Sequence, residues 1–370
     1  MNHQISKIPK GVRYFFGQEV VRRRAIEQSI LTVFQGWSYH EIILPIFDYH
    51  KLFALGMGAE AAEHTYRFID PDGELLALRP DLTSLVARTV AARFAEVTRP
   101  IRLCYSGEVF RYREAHEQRP HDFHQLGLEH IGNDRLEADV EVLLIAIEVL
   151  TALGMTNFKI ALGQVNFFNG ILAQLGLDVE QGQWLRHLVD SRNIQEIDRF
   201  LVDRLAKTER AQLCRLTQLS GKREILKEAR TLAINNTCQT ALDDLEGILG
   251  IAEVLGIDRY IEIDLGDVHG LDYYTGMTFK IYGEGLGSAI GSGGRYDSLL
   301  KNFGFDEPAV GFQLSLDWLA QIAPVPDLDT GATQQLLASQ DLVKVFRQAQ
   351  QLRAQGKCVE IGNLTNFPQT

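Results

Sequence analysis

The spacing of apolar positions changes period several times along the chain, and each change predicts a switch between helix and strand. Gln18 to Gln35 reads as a helix closed by Gly36. Tyr39 to Phe47 is a β-rich run carrying Pro45, and proline cannot donate to a ladder, so this strand belongs at an edge, a bulge or a subunit contact. Two strand-like stretches, TYRFID and ELLALR, flank Pro71-Asp72-Gly73 and predict a hairpin, and a helix follows over 81–95. Arg102–Phe110 and Asp122–Ile131 read as strands joined by the polar loop YREAHEQRPH. Leu136–Leu153 is a strongly apolar helix ended by Gly154, and Lys159–Gln164 returns to strand.

Between about 166 and 256 the pattern becomes one of polar helices with few β-branched runs, which predicts an all-helical insertion. Strand signals resume with YIEIDL at 260–265 and TFKIY at 278–282. A glycine-dense stretch from Gly283 to Gly294 and then AVGFQLSL follow. An antiparallel sheet with flanking helices and a helical insert is the α+β pattern, not alternating βαβ. The string PVPDLDTGAT at 324–333 reads as a linker, so the expected organisation is a core over 1–323 and a short strand-helix-strand segment over 334–370. No repeat or low-complexity tract interrupts this order.

Composition narrows the setting. A length of 370 residues suggests two or three folding units, and 45% hydrophobic with 23% charged residues is the balance of an ordinary soluble protein. The formal net charge is 37 − 48 = −11, which repels polyphosphate on average and argues against DNA binding as the main task. No apolar run approaches the roughly 20 residues of a spanning helix, and the first ten residues lack a signal-peptide core, so a cytoplasmic location without membrane contact is expected. Cys104, Cys214, Cys238 and Cys358 lie far apart without a C-x-x-C pair. They read as free thiols, not a metal or disulfide set.

The common catalytic signatures G-x-x-x-x-G-K-[ST], H-E-x-x-H and G-x-S-x-G are all missing, and the 283–294 glycines do not form G-x-G-x-x-G. That glycine run reads either as a close backbone approach to a ligand or as a flexible hairpin. Three other segments carry denser chemistry. LRPDLTS at 78–84 sets Arg79 and Asp81 at a strand-to-helix corner, and the 110–132 stretch carries Arg111 on one strand and Gln125 and Glu129 on the next. Alternation puts Gln125 and Glu129 on one face. Asp81 and Gln125 could take an α-ammonium, Arg111 a carboxylate or phosphate, and Glu129 a ring N–H. The same residues could equally form a structural ion-pair network. These residue types alone leave both readings open.

The third segment, HGLDYYTGMTF at 269–279, carries a family resemblance. Together with IPKGVRYF, LRPDLTS, FHQLGLE, GSGGRYDSLL and PAVGFQLSLDWL, in that order from about residue 8 to 322, it resembles the core of a class II histidyl-tRNA synthetase. The resemblance implies a histidine pocket that keeps Asp81, Thr83, Gln125, Glu129, Tyr273 and Tyr274 as hydrogen-bonding types, with Arg111 beside them. It also exposes departures at positions that serve ATP in synthetases. The arginine before GLDYY is His269 here, the glutamate of the second motif is Arg113, and the Glu-Gly of LRPEGT is Asp81-Leu82. The third motif reads Ser315, Leu316, Asp317, Trp318, with Trp318 in place of the arginine that clamps the triphosphate. Losing two charge-assisted phosphate contacts of about 1.5–3 kcal/mol each removes roughly 3–6 kcal/mol, so adenylate formation should be lost or vestigial.

The tail adds to this, since only a strand-helix-strand fragment stands where synthetases of this family continue into an anticodon-binding domain. A chain that keeps the amino-acid pocket but loses the ATP clamp resembles the regulatory subunits of ATP phosphoribosyltransferase. That resemblance implies a non-catalytic subunit without cofactor or metal, sensing L-histidine for feedback in histidine biosynthesis. Its partner would be a short-form catalytic subunit, and it would form a homodimer within a larger hetero-oligomer without binding a tRNA anticodon. A working histidyl-tRNA synthetase and a fold-retaining interaction subunit that senses nothing are the rival readings. The 112–121 loop and the 283–294 glycines are the expected mobile elements.

Overall fold

The computed structural model describes residues 8–58, 62–112, 120–233, 235–268, 274–324, 334–336 and 342–362. Helix α1 (Gln18–Gly36) buries Ile26, Ile30 and Phe34 at four-residue spacing, so a single apolar stripe faces inward. After it come β1 (His40–Glu41), β2 (Phe47–Tyr49), α2 (His50–Met57), β3 (Arg67–Ile69) and β4 (Leu75–Leu78). Helix α3 (Thr83–Arg93) then leads to two long strands, β5 (Ile101–Phe110) and β6 (Asp122–Ile131), and to α4 (Leu136–Ala152). Helix α4 buries residues all round, among them Val142, Ile145, Ala146 and Val149, and packs between α1 and the sheet.

Strand β7 (Phe158–Gln164) opens the segment of α5 (Val165–Gln174), α6 (Val179–Asp190), α7 (Ile194–Leu201), α8 (Lys207–Leu216), β8 (Ser220–Gly221), α9 (Ile225–Leu232) and α10 (Asn236–Val254). The sheet then resumes with β9 (Ile261–Asp264), β10 (Met277–Gly283), β11 (Ala289–Arg295) and β12 (Ala309–Ser315), and α11 (Leu316–Ile322) follows. A two-stranded parallel pair, β13 (Gln334–Leu336) and β14 (Val359–Ile361), flanks α12 (Leu342–Ala354).

The main sheet runs β1-β5-β6-β12-β11-β10-β7-β9-β8, and only the β1·β5 and β7·β9 pairs are parallel. This is the α+β architecture expected, with β2-β4-β3 as a separate small sheet. Leu126 and Leu128 on β6 join the larger core with α1 and α4, whereas Leu103 and Tyr105 on β5 join a smaller core with α3. The site lies on the α3 side. No described helix is long and apolar enough to cross a membrane.

Three local expectations change. The Tyr39–Phe47 run is not one strand: only His40–Glu41 and Phe47–Tyr49 pair, and the chain between turns its carbonyls to a buried arginine because Pro45 offers no N–H. The insertion is helical except for Ser220–Gly221, which extends the sheet against β9. The glycine run is not a mobile hairpin throughout, since Gly291, Gly293 and Gly294 lie in β11, laddered to β10 and β12 on both sides. The 113–119 part of the other expected mobile loop lies outside the described residues.

Candidate functional site

The site is built from the corner after β4. Arg79 is buried, and its Nε donates to the Glu108 carbonyl at 2.6 Å while Nη1 donates to the Leu44 and Pro45 carbonyls at 2.7 and 3.2 Å. A guanidinium spent on three carbonyls is a clamp, not a ligand for substrate. It fixes the corner two residues before Asp81, which is itself 4% exposed. Asp81 accepts from the Ser84 N–H at 2.8 Å and the Ser84 hydroxyl at 3.1 Å, thereby capping the first turn of α3. Burial pushes its pKa up against the opposing pull of the Ser84 bonds and Arg111.

Glu129 sits deeper, at 1% exposure on β6. Tyr105 donates its hydroxyl to Oε1 at 3.1 Å, and Tyr296 donates a short bond to Oε2. Burial outweighs the hydrogen bonds from Tyr296, Thr83 and Tyr105, so the carboxyl is pushed up to about 7. Opposite it in the ladder is Gly311, where a Cβ would stand 1.9 Å from Glu129 Oε2. The acid therefore occupies space that only glycine leaves open.

These residues converge on a cavity of ≈ 230 Å³ lined by Asp81, Thr83, Arg111, Gln125, Glu129 and Tyr274 of the expected set. That is below the roughly 300–1,000 Å³ of pockets for drug-sized ligands and suits a single amino acid. Arg111 donates Nε to the Pro80 carbonyl at 2.9 Å and stacks over Phe123. Tyr273, His269 and Arg113 lie outside the described residues. Sequence reasoning missed four neighbours: Tyr105, Tyr296, and the pair Asp267–Lys280, whose Nζ–Oδ1 distance is 2.6 Å. Strand alternation at Thr278 and Lys280 was an available signal for the last.

A second cleft of ≈ 600 Å³ shares Arg111, Gln125, Lys280, Ser292 and Gln313 with the first and extends to Arg13, Asp317 and Trp318. Trp318 packs half-buried against the larger core. Its neighbour Asp317 accepts from Arg13 at 2.7 Å, from Arg23 at 2.9 Å and from the His124 backbone N–H at 2.9 Å. An indole at 318 offers no permanent charge to a triphosphate.

The profile of the family described as histidyl-tRNA synthetase matches residues 11–319. The ATP phosphoribosyltransferase regulatory subunit of Geobacter sulfurreducens is 37% identical over 94% of this chain and 81% of its own length. The chain belongs to this regulatory-subunit family. The regulatory subunit of Moorella thermoacetica agrees at 35% identity over 95% of this chain and 91% of its own. Among solved structures, an ATP phosphoribosyltransferase regulatory subunit/histidyl-tRNA synthetase from Bacillus halodurans superposes with a TM-score of 0.87 at 28% identity, covering 99% of this chain and 94% of that one. Histidyl-tRNA synthetase from Nostoc, at 20% identity over 98% of this chain and 87% of its own, shares the fold with a TM-score of 0.79. The ≈ 230 Å³ cavity and the corner at Trp318 differ in kind: among the described residues the first is lined by polar and charged side chains, and the second offers no cation at 318.

Proposed function

We propose that this chain is the histidine-sensing, non-catalytic subunit of a short-form ATP phosphoribosyltransferase, acting in the cytoplasm. It holds L-histidine in the ≈ 230 Å³ cavity and passes the occupancy to a catalytic chain that carries out the first step of histidine biosynthesis. The observation that carries this reading is the pair of buried carboxylates, Asp81 and Glu129, facing one cavity of amino-acid size. Ser84 on Asp81, and Tyr105 and Tyr296 on Glu129, leave each carboxyl with further lone pairs that a ligand's ammonium or ring N–H can meet. Asp81 and Gln125 receive the α-ammonium, Glu129 takes a ring N–H, and Thr83 and Tyr274 line the ring. Arg111 stands toward the carboxylate end.

Neither a metal nor a cofactor enters this scheme. The core over 1–323, the 324–333 linker and the 334–370 segment are its proposed divisions. Trp318 disfavours the synthetase reading. Calorimetry tests the proposal: L-histidine binds, Glu129→Ala weakens it by about 1–3 kcal/mol, and histidine-dependent ATP–pyrophosphate exchange stays at background. Equal affinities for wild type and Glu129→Ala would remove the role given to that acid.

The subunit also pairs with a second copy of itself. Ile43 is 91% exposed and Ile69 71%, and with Ile46 and Phe47 they form an apolar rim around the short edge strands. Isologous pairing is the commonest way to cover such an edge. Light scattering at micromolar concentration should give twice the chain mass, and a monomer would contradict this assignment.

A further inference from the structure

We propose that Lys280 makes the cavity selective for a ligand bearing a carboxylate, an inference that rests on the histidine-binding reading above. Three carboxylates, Asp81, Glu129 and Asp267, line the cavity, against two cations, Arg111 and Lys280. A zwitterion placed there needs a cation for its own carboxylate, at the end remote from the two acids that take its ammonium and ring. Both cations stand at the junction with the ≈ 600 Å³ cleft, and that is the remaining end.

The two are held differently. Arg111 is tied to the Pro80 carbonyl through Nε and lies over the Phe123 ring at 5.2 Å. Lys280 lies on β10, its ladder partners being Ala161 on β7 and Ser292 on β11, so its backbone is fixed from both sides. Its ammonium has three N–H groups, and the 2.6 Å contact to Asp267 accounts for one. Asp267 aims the ammonium; the remaining donors serve the ligand. Burial works to lower the pKa of Lys280, but the Asp267 contact outweighs it, and the charge is retained.

The test compares L-histidine with L-histidinol by calorimetry on wild type, Lys280→Met, Lys280→Arg and the double variant Lys280→Met/Asp267→Asn. Wild type should prefer L-histidine. Lys280→Met should weaken L-histidine roughly 10- to 100-fold and leave histidinol little changed, so that the preference collapses. Lys280→Arg should keep most of the preference. The double variant separates loss of the cation from exposure of the Asp267 charge: it should also show the collapse. A wild-type ratio in Lys280→Met, or recovery of the preference in the double variant, would overturn the proposal. A wild-type chain that binds neither compound overturns the histidine reading and this inference with it.

Discussion

Gly311→Ala is expected to abolish histidine binding, although it adds a single methyl group in the middle of a strand. The added Cβ would stand 1.9 Å from Glu129 Oε2 and 2.4 Å from the Leu128 carbonyl. The second contact is with backbone. Strand β6 cannot retreat without breaking its ladders to β5 and β12, so the strain falls on the Glu129 side chain. That side chain is held by Tyr105 and Tyr296, and displacing it removes both bonds along with the acceptor for the ligand ring. Overpacking costs about 1–3 kcal/mol, and a lost contact to a charged group adds about 1.5–3 kcal/mol, so affinity should fall by about two to four orders of magnitude. Gly36→Ala is the matched control, because its Cβ meets nothing within 4 Å. Calorimetry that found Gly311→Ala binding L-histidine as wild type does would place the ring away from Glu129.

The face shared by Gln125 and Glu129 was legible because strand alternation is a local property, and so was the corner that presents Asp81. The setting of Glu129 was not. Its two phenol donors come from 24 and 167 residues away, and no local pattern announces such a pairing. The same limit explains the glycine run. Read locally, Gly291, Gly293 and Gly294 signal backbone freedom; in the sheet a Cβ at Gly293 would stand 2.5 Å from the Gly311 carbonyl. Closeness to a neighbouring strand, not mobility, is what requires glycine there. Arg79 shows the reverse case. It was legible as a residue of interest, but its burial among three carbonyls makes it structural. The departures at Arg113, His269 and Trp318 were legible only against the family pattern, since no periodicity distinguishes a lost arginine from any other polar or aromatic position.

In a complex reconstituted with a short-form catalytic subunit, L-histidine is expected to inhibit a reaction that takes place on the other chain. Asp81→Ala and Glu129→Ala in this chain alone should relieve that inhibition. Inhibition at a distance needs an element that occupancy can bias. Strand β6 meets that need, because its two faces serve different partners. Gln125 and Glu129 face the cavity, whereas His124 faces α1, its ring lying 3.3 Å from Glu108 and 3.6 Å from Glu27. Burial opposes a charge on His124, but the two glutamates outweigh it and raise its affinity for a proton, so the ring ties α1 to β6 through Glu27. The His124 backbone N–H also holds Asp317, which engages Arg13 and Arg23. A ligand that repacks the side chains on the cavity face of β6 thus bears on α1 and the segment before it through His124 and Asp317. The coupling should be about 1–3 kcal/mol, or roughly 5- to 150-fold in affinity. Linkage makes the effect reciprocal: if histidine weakens binding of a substrate by some factor, saturating that substrate must weaken histidine binding by the same factor. Titration of histidine against activity and equilibrium binding in both directions measure the two sides independently. Inhibition that survived Asp81→Ala and Glu129→Ala at full strength would mean that histidine acts at another site, leaving this cavity without a regulatory role.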